Sequence, residues 1–253
     1  MKAILITFFL TFAFVICAPA QSLKITTKKV TYTRKGADVP EYKRTFDVSY
    51  PIIKTKLSAS VRRTFTTNLS YWKAFSSKDF TWRLRDSING DYWISELSYA
   101  VKYNANNILA IWLTMEGSAA YPDHSIKYVV VDIRTGKRLA IPDLFERTKL
   151  AALRNSVRRV MKKSEGTLEE DVKNVLASER NNGNYNEFYP DSDHLQLKDL
   201  AGFTISSKGV TFMYDYGYAH VSQAIEPAGE FFLSYSQLKP FIRRDGLLAR
   251  FIH

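Results

Sequence analysis

The 253-residue chain carries 36 lysines and arginines against 25 aspartates and glutamates, a formal net charge of +11. With 45% hydrophobic and 14% aromatic residues it has a globular composition, which excludes a disordered chain, and no apolar run beyond the N-terminal segment reaches membrane-spanning length. The positive surplus points to acidic partners.

The first residues read as an export signal. Lys2 supplies the positive start, Ile4 to Cys17 is an apolar run too short for a comfortable span, and Ala18-Pro19-Ala20 ends in a small-x-small cleavage pattern. A signal peptide over residues 1–20 places the mature chain in the periplasm or outside the cell, where nucleic acid is not an expected partner. The alternative is a lipid anchor at Cys17, against which stands the bulky Ile16 where such signals carry a small residue. Cys17 is the single cysteine, so cleavage after Ala20 removes disulfides, cysteine zinc sites and thiol nucleophiles from consideration.

Leu23 to Thr33 alternates weakly and reads as an edge strand with lysines on its solvent face. A loop from Lys35 to Glu41 leads into a strand from Tyr42 to Tyr50, which Pro51 is expected to limit. Leu57, Val61, Phe65, Leu69 and Trp72 recur at helical spacing and predict a core-facing helix. Ser76 to Asp91 is polar, with Asn89-Gly90 as a turn signal, and reads as a connection. Tyr92 to Tyr103 and Ile108 to Glu116 are β-rich runs joined by Asn104 to Asn107, asparagines being tolerant of left-handed backbone.

Ile126 to Ile133 supplies the next strand, and Arg134-Thr135-Gly136-Lys137 a tight turn in which Gly136 takes a positive φ. Arg138 to Ile141 is expected to pair back, leaving Asp132, Lys137 and Arg138 on a solvated hairpin. Asp143 to Glu146 has capping-box spacing, which predicts a helix starting near Leu144. Leu150, Leu153, Val157 and Val160 form the apolar stripe of that region, and Thr167 to Glu170 opens a second helix ending near Arg180. Strands return at Gly202–Ser206, Val210–Tyr214 and Glu230–Tyr235, and Ser236 is placed to cap a short final helix through Ile242. The fold class that follows is α+β, an antiparallel sheet of hairpins and meander packed with several helices.

Two surfaces carry candidate binding residues. Arg154, Arg158, Arg159, Lys162 and Lys163 line the polar side of one helix, suited to an anionic glycan or lipid headgroup. Asp215, Tyr216, Tyr218 and His220 follow a strand as a polar-aromatic cluster suited to contacts with a ligand or protein. Asp191, Asp193 and His194 offer close carboxylates and an imidazole, the basis of an alternative reading as a small exported hydrolase or metal-dependent enzyme. No His-Glu-x-x-His, Gly-x-Ser-x-Gly or phosphate-loop pattern accompanies them, so a polar turn is favoured, with no metal, cofactor or catalytic residue expected.

Order along the chain adds a family likeness. The turn of Asp132, Thr135, Gly136 and Lys137, the Asp143-Leu144-Phe145 run, the strand with Gly209, Val210 and Phe212, and the tyrosine-rich segment ending at Gly229 together resemble the RsiV-type extracytoplasmic domain of unknown function. Tyr50-Pro51 through Asn107-Ile108-Leu109 is similar to the PdaC-type region that precedes it. The resemblance implies a division into residues 21–110 and 111–253 packed as one unit. It also implies an exported, non-catalytic binding or sensing module of the bacterial cell envelope. In the anti-sigma factor this region recognises lysozyme, whereas the +11 charge of this chain fits an anionic envelope ligand better than a basic protein.

Overall fold

Two sheets organise the chain. The computed structural model describes residues 21–35, 39–75, 77–89, 93–118, 122–168, 170, 173, 174, 177, 191–218 and 226–252. The larger sheet has five strands in sequential order: β1 (Ile25–Thr33), β2 (Thr45–Ile53), β3 (Trp93–Ala105), β4 (Ile108–Ser118) and β5 (Pro122–Asp132). The smaller is antiparallel and consists of β6 (Phe203–Ile205), β7 (Gly209–Met213) and β8 (Glu230–Ser234). The α+β class holds, but the larger sheet is mixed, because β2 pairs in parallel with β3 at Asp47↔Glu96 and Val48↔Leu97. A parallel pair needs a long crossover. It is supplied by α1 (Ala59–Asn68), α2 (Tyr71–Ala74) and α3 (Ser77–Asn89), which lie between the two strands in sequence.

β1 is an edge strand, as its lysines suggest. Pro51 does not stop β2, which continues to Ile53. The hydrogen bonds Lys54 N–H to Lys24 O and Arg34 N–H to Arg44 O fix the bonded phase of the β1–β2 ladder, and Pro51 opposite Thr27 falls in the non-bonded phase. No β3 pairing reaches that position either, so the missing N–H of proline costs no ladder bond.

The helical layer departs most from expectation. Ser58 caps α1, then Leu69 and Ser70 break the helix, with Ser70 capping α2. The break turns Tyr71 and Phe75 into the core and leaves Trp72 half exposed, so Trp72 is not part of the buried stripe with Phe65 and Leu69. The Tyr71 hydroxyl lies 2.8 Å from Ser49 O and 2.6 Å from Ser98 O, tying the layer to β2 and β3. The polar stretch read as a connection is helix α3, which among the described residues packs Leu84 and Ile88, one turn apart, against this core.

The β3–β4 hairpin turns at Asn106 and Asn107, with φ of 53° and 62°. Beyond β5, Gly136 has φ +70°, and Gly136 N–H donates to Asp132 O at 2.8 Å. The returning strand is reduced to a single bridge between Val131 and Arg138. Asp132 is also not solvated: it is buried, and its carboxylate holds the Arg134 guanidinium at 2.8 and 3.0 Å. Helix α4 (Ile141–Leu144) starts before the expected Leu144, because Asp143 serves inside the first turn and accepts from Ala140 N–H at 2.8 Å. After a 3-10 turn comes α5 (Leu150–Glu165), and the last α-helix among the described residues is α6 (Tyr235–Leu238), capped by Ser234 and not Ser236. The segment from Leu168 to Arg180, read as a second helix, lies mostly outside the described residues, as do the signal segment, Cys17 and His220.

Side-chain alternation in β4 builds two cores on opposite faces of one sheet. Leu109, Ile111, Leu113 and Met115 face α1–α3, while Ile108 and Ala110 face α5 and the small sheet. Residue 110 therefore falls within a strand shared by both cores.

Candidate binding surface

Helix α5 buries Leu150, Leu153, Val157 and Met161, at spacings of three and four, toward the small sheet, which turns its basic side outward. Arg158 donates to the Asp193 carboxylate, and Lys162 lies 3.7 Å from the same oxygen. The Arg158 hydrogen bond and then the charge of Lys162 hold Asp193 below the usual carboxylate range. Arg159 reaches the Ser156 hydroxyl at 3.0 Å, and Arg154 the Asn155 side-chain oxygen at 3.0 Å, with its Nε buried and unpartnered. Lys163 is exposed. The five cations do share one helix, but Asp193 neutralises part of the patch.

Of the Asp191–Asp193–His194 group, Asp191 and His194 stay together while Asp193 turns away. Asp191 caps a 3-10 turn over Ser192–His194, its Oδ1 accepting from Asp193 N–H at 2.8 Å and lying 2.9 Å from His194 Nδ1, while Asp193 points to α5. Among the described residues no group of three or more His, Cys, Asp or Glu is placed to hold a metal ion. The turn is fastened to α5 through Glu165, which accepts from Ser192 N–H and Oγ–H, both at 2.7 Å, and from the Tyr216 hydroxyl at 3.4 Å.

Tyr216 and Tyr218, read as ligand contacts, belong to the core at 2% and 5% exposure. With Tyr214 they form a ladder of rings 4.9 and 5.9 Å apart, edge to face at 89° and 73°. Burial, then the charges of Asp199, Asp191, Glu165 and Asp215, pushes the Tyr214 hydroxyl up to about 12. Exposed Asp215 closes its own turn by accepting from Gly217 N–H at 2.9 Å. Burial and then the nearby Asp215 hold the Glu226 carboxyl above the ordinary range, against the opposing pull of the backbone of Tyr218, Gly217 and Tyr216.

A second cationic surface escaped the sequence reading. The outer side of α1 lines a shallow groove of about 460 Å³ formed by Leu57, Ala59, Arg62, Arg63, Thr66 and Thr67. Phe65 and Leu69 hold the inner side of the helix in the core, so Arg62, Arg63, Thr66 and Thr67 face solvent. Neither arginine has an acidic partner among the described residues. The signal was present in the sequence: Val48 to Lys78 contains six lysines and arginines and no aspartate or glutamate.

A mixed five-stranded sheet, helices on one face and a three-stranded antiparallel sheet with α5 on the other define the class of this α+β protein. Two solved structures share that architecture. A DUF3298 family member from Bacteroides fragilis matches with a TM-score of 0.59 over 90% of this chain and 97% of its own, at 12% identity. A DUF3298 family protein from Pseudomonas aeruginosa matches with a TM-score of 0.56 over 88% and 95%, also at 12% identity. The likeness is one of fold, and that fold is the PdaC- and RsiV-associated domain which the sequence resembles. No family model matches the sequence, and no curated protein matches it.

Proposed function

We propose that the protein is an exported, non-catalytic binding module of the cell envelope that recognises an anionic ligand. The observation that carries this reading is a surface excess of cations: a +11 chain in which Arg62, Arg63 and Lys163 face solvent without an acidic partner among the described residues. Such a field attracts anionic polymer and opposes the approach of a basic protein. The polar groups that suggested chemistry have structural duties, Asp193 pairing with α5 and Asp191 capping its turn.

The reading is tested by passing the purified protein over an immobilised anionic envelope polymer and, separately, over immobilised lysozyme. Retention on the polymer at low salt, released as salt rises, is the expected result. Retention on lysozyme alone overturns the reading.

A further inference from the structure

We infer that the α1 groove is a binding site for an anionic polysaccharide, one bearing carboxylate or phosphate groups along its chain. This rests on the reading that the protein binds an anionic ligand, and it names where and what. The groove is shallow and open, with about 460 Å³ of space, which suits one segment of a polymer lying across it and not an enclosed small molecule. Arg62 and Arg63 are adjacent on a helix, so their side chains diverge and flank the groove from two directions. Guanidinium forks grip carboxylate and phosphate oxygens in pairs, which an ammonium cannot do.

The polar wall fits a sugar chain. The Thr66 hydroxyl donates to Arg62 O at 3.0 Å and so turns its lone pairs outward, and the Thr67 hydroxyl has no partner among the described residues. Lys54, Lys56 and Lys73 are exposed on the segments that flank α1 in sequence, and no acid falls between Val48 and Lys78. That continuity suits a repeating anion better than a single one. The guanidinium pair beside two threonine hydroxyls favours a polyhydroxylated chain over a headgroup plane. The basic side of α5, by contrast, carries its own counter-charge in Asp193.

The test is titration calorimetry of the purified protein with polygalacturonate, with neutral dextran and phosphatidylglycerol vesicles as comparison ligands. Wild type is expected to bind polygalacturonate, to ignore dextran, and to bind the vesicles more weakly. Arg62→Glu with Arg63→Glu is expected to weaken polygalacturonate binding by about tenfold, whereas Arg159→Glu with Lys163→Glu, the same change in net charge, leaves it within about twofold. Arg62→Gln with Arg63→Gln, which keeps helix propensity and adds no acid, separates site loss from misfolding and is expected to show most of the same loss. Unchanged binding in both α1 variants overturns the groove while leaving the anionic-ligand reading intact, as does equal loss in the α1 and α5 reversals. Tighter binding to vesicles overturns the choice of polysaccharide. No binding of wild type to either anionic ligand overturns the parent reading as well.

Discussion

Replacing Gly136 by alanine tests how the Thr-Gly-Lys turn is coupled to the helical layer. Gly136 sits at φ +70°, and a Cβ there would lie 2.9 Å from Val61 O, 3.0 Å from Phe65 Cδ2 and 3.1 Å from Phe65 N. The first cost is backbone, about 1–2 kcal/mol for an L-residue in the left-handed region. The second is contact, about 1–3 kcal/mol for forcing a methyl into a packed site bounded by two main-chain atoms and a buried ring. Gly217 supplies the control, since its φ of +67° is nearly the same but nothing among the described residues lies within 4 Å of its Cβ position. Gly217→Ala is therefore expected to destabilise by about 1–2 kcal/mol and Gly136→Ala by about 2–5 kcal/mol. Urea unfolding followed by far-ultraviolet circular dichroism measures both, and each kcal/mol corresponds to about 2–4 °C in melting temperature for a chain of this size. Equal destabilisation by the two substitutions would refute the close approach of the turn to α1. The coupling has a second reporter, because Asn68 Nδ2 donates to Gly136 O at 2.8 Å on the same helix that carries Arg62 and Arg63.

Three further outcomes follow from the packing and charge. Tyr71→Phe removes the hydroxyl shared between Ser49 O and Ser98 O and is expected to cost about 1–2 kcal/mol in urea unfolding; an unchanged midpoint would show that the hydroxyl does not tie β2 to β3. Asp193→Asn releases Arg158 and Lys162 from their counter-charge on α5, away from the α1 groove, so polygalacturonate binding is expected to stay within about twofold, and a larger gain would move the site to α5. The Glu226 carboxyl is raised above 4.5 in the folded state, first by burial and then by Asp215, so the native protein holds its proton more tightly than the unfolded chain. Its contribution to stability is thus present below pH 4.5 and lost as pH rises through the folded value. Glu226→Gln should flatten that fall in an unfolding series across pH, and a profile identical to wild type would refute the assignment.

Local chemistry made several elements legible before the structure. Asparagine at 106 and 107 and glycine at 136 are residues that accept positive φ, and the turns fall there. The stripe of Leu150, Leu153 and Val157 marked α5 because one face of an isolated helix must be apolar. What escaped depended on neighbours. Helix α3 lies in a polar stretch whose Phe80, Leu84 and Ile88 spacing went unread, and without that helix the crossover that makes β2 and β3 parallel could not be seen. Pro51 is harmless only in its particular phase of the β1–β2 ladder, which depends on register. At the candidate surfaces, residue type was a poor guide to exposure: Tyr216 and Tyr218 are core residues, and Asp193 disarms part of the α5 patch from more than thirty positions away in sequence. The α1 groove was written as an absence of acids from Val48 to Lys78, a pattern that acquires meaning only once Phe65 and Leu69 fix which side of the helix is outside.

The central claim is that this surface recognises polyanions electrostatically, and a salt series of wild-type affinity for polygalacturonate tests it most directly. The account predicts a logarithm of affinity that falls linearly with the logarithm of salt concentration, as counterions released from the polymer are replaced by protein cations. Affinity independent of salt, or no binding at the lowest salt, would contradict it.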